Sequence, residues 1–107
     1  MKFTVYQMIS DHRKYLAEHK PEEYFEISFS GNVSPSMFLA HYGKVCEIEA
    51  ADLDEVFEIG NIGPESKITR LDRMHSISVG DVIEDDKHRL YIVGSFGFER
   101  LGEKEAA

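Results

Sequence analysis

The chain has 107 residues, of which 20 are acidic and 12 are basic, so its formal net charge is −8. This charge disfavours direct binding to nucleic acid, because basic residues that neutralise phosphates supply most of that affinity. It is typical of a soluble acidic protein, and it also fits a protein that meets a basic partner surface; charge alone does not separate the two. The apolar runs are too short for a membrane span and a single cysteine excludes an internal disulfide, so we expect a cytoplasmic protein that does not bind membranes.

The first third of the chain predicts a strand, a surface helix and a second strand. Residues 2–9 alternate in the manner of a strand with two usable faces. A short helix is predicted over 11–19, with the Ser10 hydroxyl as its N-terminal cap and with Pro21 ending it. The segment YFEISFSGN, residues 24–32, alternates apolar and polar side chains and predicts a half-buried strand that closes in a turn.

The middle third predicts a helix, a strand and a further helix. The Ser-Pro pair at 34–35 places a cap and a proline in the order that opens a helix, and Gly43 stands where a C-terminal glycine belongs. Residues 44–50 read as a strand. Asp52 and Glu55 then have the spacing of a capping box, which predicts the start of another helix.

The last third predicts a short strand at 67–71, in an edge position, and a β-hairpin with strands at 79–83 and 90–93. The elements together predict one α+β domain over residues 1–107, with a charged tail at 102–107 that frays. We expect a mainly antiparallel sheet of about five strands, with two or three short helices packed on one face.

The segment MHSISVGDVI, residues 74–83, contains the ingredients of a nucleophile and a base. Ser76 is adjacent to His75, however, and no nucleophile elbow surrounds it, so the pattern favours a structural role. In that interpretation His75 and Ser76 satisfy backbone groups at the start of a strand, and Asp81 shapes a turn. Cys46 falls in mid-strand, where a free cysteine is usually core. We therefore assign no catalytic residue, metal or cofactor.

Two charged clusters are candidates for binding. One is basic and follows a loop that contains glycines, so it is a candidate contact for a small ligand or a nucleotide phosphate, unless its members pair with nearby carboxylates. The other is acidic and is a candidate interaction face for a basic partner, unless it is only a solvated surface. The basic cluster comprises Lys67, Arg70, Arg73 and His75, and the acidic face comprises Glu47, Glu49, Asp52, Asp54, Glu55 and Glu58.

The C-terminal half resembles known proteins of mobile elements. HSISVGDV followed by a hairpin and SFGF, residues 75–98, is similar to a pattern in small uncharacterised proteins of bacteriophages and other mobile elements. EIEAADLDEVFEIGN at 47–61 is similar to the segment that precedes it there, and residues 45–101 also resemble the YodL-like domain of conjugative elements and plasmids. The resemblance implies an accessory protein that acts in a host cell, and it supplies no catalytic residues.

These observations favour a protein that binds over one that catalyses. We expect an accessory protein that engages a host protein, with acidic mimicry of nucleic acid as one mode of inhibition. The alternatives are a small-molecule or nucleotide-binding module that uses the cluster from Lys67 to His75, and a small enzyme whose site is not recognisable in the sequence. A homodimer formed by sheet extension is also open, because the predicted sheet has edge strands.

Overall fold

A six-stranded antiparallel sheet organises residues 1–103, which are the residues that the computed structural model describes. Its strands are β1 (Lys2–Met8), β2 (Tyr42–Glu49), β3 (Ile68–Arg70), β4 (Val82–Glu84), β5 (Arg89–Gly94) and β6 (Gly97–Glu103), in the spatial order β3-β2-β1-β4-β5-β6. The helices are α1 (Ser10–His19), α2 (Pro21–Phe25), α3 (Pro35–His41) and α4 (Leu53–Asn61), with a π-helical turn at Glu26–Ser30 and a 3₁₀ turn at Glu65–Lys67. The predicted α+β class with a mainly antiparallel sheet is confirmed, and the sheet has six strands where about five were expected.

The central strand β1 divides the core into two layers. Phe3 and Val5 belong to one buried cluster, while Tyr6 and Met8 belong to another. Successive side chains of a strand point to opposite faces, so each cluster lies on its own face of the sheet. This alternation explains why five of the seven residues of β1 are buried.

Helices cover both faces of the sheet, and the expectation that they pack on one face is wrong. Val56 and Ile59 of α4 join the cluster that contains Phe3. Leu16 of α1 and Phe38 of α3 join the opposite cluster. A central strand that is apolar on both faces needs cover on each side, because apolar area left in water costs about 25 cal/mol per Å².

The predicted strand over 24–32 is helical, which is the main error of the sequence interpretation. Pro21 starts α2 at a position where its fixed φ suits a helix. Phe25 and Phe29 then stack with ring centroids 4.5 Å apart, and they are 56% and 65% exposed. Alternation with a period of two favours a half-buried strand, but of the three alternating apolar residues only Ile27 is buried. Phe25 and Phe29, four residues apart, are instead neighbours on the exposed side of a helical segment.

Two of the predicted helix caps are confirmed. The Ser34 hydroxyl accepts a hydrogen bond from the backbone N–H of Met37 at 3.1 Å. The Asp52 carboxylate accepts one from the N–H of Glu55 at 2.9 Å. Each bond satisfies a donor in the first turn that has no partner within the helix.

Two other helix ends differ from the predictions. Ser10 is the first residue of α1, and Ile9 occupies the cap position without a side-chain bond. Gly43 lies within β2, because α3 ends at His41 and the strand follows at once.

The two edge strands of the sheet agree in part with the prediction from the sequence. β3 is an edge strand, as predicted, and β6 forms the opposite edge. β6 extends to Glu103, so Gly102 and Glu103 belong to a strand and not to the tail predicted for 102–107; the rest of that tail, 104–107, lies outside the described residues. Within residues 1–103 no helix combines the length and hydropathy needed to cross a membrane.

Replacing Gly80 with alanine is expected to destabilise the fold by about 2–4 kcal/mol. Gly80 has a φ of +93°, and an added Cβ would lie 2.6 Å from the backbone oxygen of Ile27. Gly43→Ala is the matched control, since its Cβ would meet only Ile9 at 3.5 Å, and we expect a change below about 1 kcal/mol. Chemical denaturation of both variants measures the two changes in the free energy of unfolding. Equal losses of stability in Gly80→Ala and Gly43→Ala would contradict the prediction.

Candidate functional site

The buried carboxamide of Gln7 joins β1 to the loop that precedes β4. Gln7 is 2% exposed. Its Oε1 accepts from the N–H of His75 at 3.2 Å, and its Nε2 donates to the His75 carbonyl and to Oδ2 of Asp81, both at 3.0 Å. A buried amide without partners would cost about 1–3 kcal/mol, so these bonds fix the loop 74–81 against the sheet.

Asp81 closes the turn before β4, as the sequence predicted. Its Oδ2 also accepts from the backbone N–H of Ser78 at 3.0 Å. The Tyr42 hydroxyl donates to the Gly80 carbonyl at 2.6 Å and holds the same turn from β2. Burial raises the pKa of Tyr42 above its usual range, and the charge of Asp81 adds to that shift, so this hydroxyl keeps its proton.

Burial raises the pKa of Asp81 to about 6, against an ordinary value of 3.8. The hydrogen bond from the Ser78 N–H, the charge of His75, the bond from Gln7 and the charge of Arg13 each act in the opposite direction. Desolvation outweighs them because a charged carboxylate is poorly solvated at this depth. A carboxyl group that titrates near neutral pH beside a cleft marks a candidate functional region.

Arg13 of α1 and His75 lie next to each other and border the same concavity as Asp81. The Arg13 Nη2 donates to the His75 Nε2 at 2.7 Å, and the His75 Nδ1 donates to the Ser76 carbonyl at 2.6 Å. Because Arg13 has no acceptor atom, this pair of bonds assigns the proton of a neutral His75 to Nδ1. Both ring nitrogens are therefore engaged.

The structure does not place a nucleophile beside His75. Among residues 1–103 its hydrogen-bond partners are Gln7, Arg13 and the Ser76 carbonyl, with no side-chain hydroxyl or thiol. Cys46 is fully buried, and burial raises its pKa to about 11. A thiol with a raised pKa is a poor nucleophile, which agrees with the predicted core position of Cys46.

The predicted basic cluster is divided by the fold. Lys67 lies 3.9 Å from a carboxylate oxygen of Glu55, and Arg70 makes a bidentate pair with Glu65 at 2.6 and 3.0 Å. Arg70 and His75 border one concavity of about 300 Å³. Arg73 and His75 border another of about 450 Å³ together with Arg13 and Lys44. We call this second concavity the basic cleft.

The six residues of the predicted acidic face are distributed over both sides of the sheet. Glu47 and Glu49 alternate with the buried Ile48, which packs on the side of α4, so they point to the other side. Glu47 lies 3.5 Å from Lys2, and Glu49 lies 2.9 Å from the N-terminal amino group.

The remaining members of that face belong to α4 and the turn before it. Asp52 caps the helix, and Glu55 lies near Lys67. Asp54 and Glu58 are exposed. Asp52 and Asp54 share a concavity with Asp85 and Asp86 of the β4–β5 turn.

A large groove lies where the sequence predicted a strand. Its volume is about 820 Å³, and it runs between α2 with its π-helical turn and the start of α3. The apolar side chains Phe25, Ile27 and Met37 line it together with the carboxylates of Glu22, Glu23 and Glu26. We call it the acidic groove. The interpretation of 24–32 as a strand concealed it, although Pro21 followed by two glutamates is a signal for the start of a helix.

Comparisons of the chain with protein-family models, with curated protein sequences and with solved structures find no match.

As the pH rises from about 4 to about 7, we expect the free energy of unfolding of the wild type to fall by about 2–3 kcal/mol relative to that of the Asp81→Asn variant. The pKa of Asp81 is about 6 in the folded state and lower in the unfolded state. Protonation of Asp81 therefore stabilises the fold fully below about pH 4, and this stabilisation is lost as the pH rises through 6. Asparagine keeps an acceptor for Ser78 and does not titrate.

Chemical denaturation at a series of pH values measures this difference. Asp86→Asn, at an exposed residue of the β4–β5 turn, controls for the loss of one carboxylate. Parallel stability curves for the wild type and Asp81→Asn would contradict the raised pKa.

Proposed function

We propose that the protein works by binding a basic segment of another protein in the acidic groove, where apolar side chains of that segment contact Phe25 and its neighbours. The observation that carries this proposal is the groove itself, with its apolar lining and its three glutamates. Its volume of about 820 Å³ falls within the range of concave binding sites.

Two exposed phenylalanines extend the apolar surface along α2 and its π-helical turn. Phe25 and Phe29 stack on each other and remain more than half exposed. Contiguous exposed apolar side chains mark interaction surfaces, and buried aromatic anchors supply much of the binding energy at protein interfaces.

The charge of the groove favours a basic partner. Glu22, Glu23 and Glu26 line it, and no lysine or arginine among the described residues 1–103 does so. The Glu26 carboxylate accepts a hydrogen bond from Asn32 at 2.6 Å, which orients it at the rim. With a net charge of −8 on the whole chain, association with a positive surface is steered by attraction and weakened by salt.

The resemblance to phage and mobile-element proteins predicts that the partner is a host protein. A basic segment held in the groove is screened from nucleic-acid phosphates. An acidic accessory protein would inhibit a host nucleic-acid-binding protein in this way. The alternatives have less support, because Lys67 and Arg70 are paired with glutamates and no side-chain nucleophile contacts His75 among the described residues.

Affinity capture from a bacterial lysate at low and high salt, with matched variants of the tagged protein, tests the proposal. We expect a protein that binds the wild type at low salt to lose at least about tenfold in recovery with Glu22→Lys/Glu23→Lys and with Phe25→Ser/Phe29→Ser. All four side chains are exposed, so the fold should be retained, which circular dichroism verifies.

Asp54→Lys/Asp86→Lys is the control, because it makes the same change of charge at exposed residues outside the groove. It should retain the partner at low salt. The proposal is contradicted if no captured protein depends on the groove residues, or if the control loses the partner to the same extent.

A further inference from the structure

The basic cleft gathers positive side chains from three separate parts of the chain. It lies between the start of α1, the first residues of β2 and the loop before β4. Arg13, Lys44 and Arg73 border it together with His75. Among residues 1–103, the cleft and the acidic groove have no lining residue in common, so the two are separate concavities.

These cations are not neutralised by close ion pairs. Within residues 1–103, no carboxylate oxygen lies within 4.0 Å of the charged nitrogens of Arg13, Lys44 or Arg73. Four other lysine or arginine side chains each have such a contact, and they are Lys2, Lys67, Arg70 and Arg89.

Two carboxylates also border the cleft. Asp72 accepts a hydrogen bond from the backbone N–H of Arg73 at 2.7 Å, and Asp11 lies in the first turn of α1. The three positive side chains of Arg13, Lys44 and Arg73 face these two negative ones. The cleft therefore carries a positive balance in a chain whose formal net charge is −8.

The Arg13 guanidinium is held in place while most of its donors stay available. One of its five N–H groups reaches the His75 Nε2 at 2.7 Å, and His75 is itself oriented by the Ser76 carbonyl. A guanidinium fixed in this way loses less entropy when it binds an anion.

The start of α1 faces the same cleft. Ser10 and Asp11 of its first turn are lining residues, and Ile9 at the cap position offers no side-chain acceptor. The partial positive charge at a helix N-terminus adds to the attraction that the side chains supply.

We propose that the basic cleft binds a small molecule that carries a phosphate group. A phosphate dianion offers enough acceptor oxygens to contact Arg13, Lys44 and Arg73 together, whereas one carboxylate has two oxygens. The volume of about 450 Å³ accommodates a group larger than the phosphate itself. This site differs from the cluster predicted from the sequence, since Lys67 and Arg70 do not border it.

Titration of the ¹⁵N-labelled protein with pyrophosphate, inorganic phosphate, AMP, adenosine and succinate, in low salt at neutral pH, tests the proposal. We expect saturable shifts of the amides of Ser10, Lys44 and Arg73 with the phosphate compounds, with a Kd of about 1 mM or tighter for at least one of them. Tighter binding of AMP than of phosphate indicates a nucleotide-like ligand, and the reverse indicates a free phosphate or pyrophosphate.

Two double variants make the test specific. Lys44→Gln/Arg73→Gln should weaken binding by about tenfold or more, and these side chains are exposed, so the fold should persist. Lys67→Gln/Arg70→Gln removes the same charge outside the cleft and should change the Kd by less than about twofold.

Three outcomes would overturn the proposal. They are the absence of saturable shifts with every phosphate compound, an equal loss of affinity in the Lys67/Arg70 variant, and binding of adenosine or succinate as tight as that of the phosphate compounds.

Discussion

The hydrogen bonds of the Gln7 carboxamide are the constraint on which both the fold and the basic cleft depend. Gln7 occupies a core position of the central strand, where an unpaired amide would be destabilising. Its bonds to the backbone of His75 and to Asp81 satisfy it, and they fix the loop that crosses the sheet before β4. The same loop carries His75, which orients Arg13 of α1. One buried polar side chain thereby connects the core to a wall of the cleft.

The charge distribution of the surface follows from this arrangement. The sequence carries a large excess of carboxylates, yet the fold concentrates Arg13, Lys44 and Arg73 around one concavity. The glutamates of α2 surround a separate apolar groove. Opposite charges at two independent concavities fit a protein with two kinds of ligand, a phosphate-bearing small molecule and a basic protein segment. Ligands of opposite charge would also be steered to different parts of the surface.

Local signals in the sequence were sufficient for much of the fold. The apolar residues on both faces of β1 and the cap at Ser34 depend on neighbours along the chain, so the pattern predicts them. The prediction for the segment 24–32 failed because its alternation favours a strand, whereas the fold buries Ile27 and leaves Phe25 and Phe29 exposed on a helical segment. The site was only partly predictable: Asp81 and His75 stood in a visible motif, but Gln7 and Arg13 reach them across more than sixty residues. Contacts between residues so far apart along the chain produce no local sequence pattern from which they could be predicted.

Amide hydrogen exchange in the loop 74–81 is the most direct test of whether the hydrogen bonds of Gln7 fix this loop against the sheet. The N–H groups of His75 and Ser78 lie outside regular strands, and side-chain oxygens of Gln7 and Asp81 hold them. If the Gln7 network fixes the loop, both amides should exchange at least about a hundredfold more slowly than unstructured amides, with opening coupled to that of β1 and β4. If the amides of His75 and Ser78 exchange at the unstructured rate while the amides of β1 stay protected, the loop opens independently of the sheet. That result would contradict the role given to Gln7.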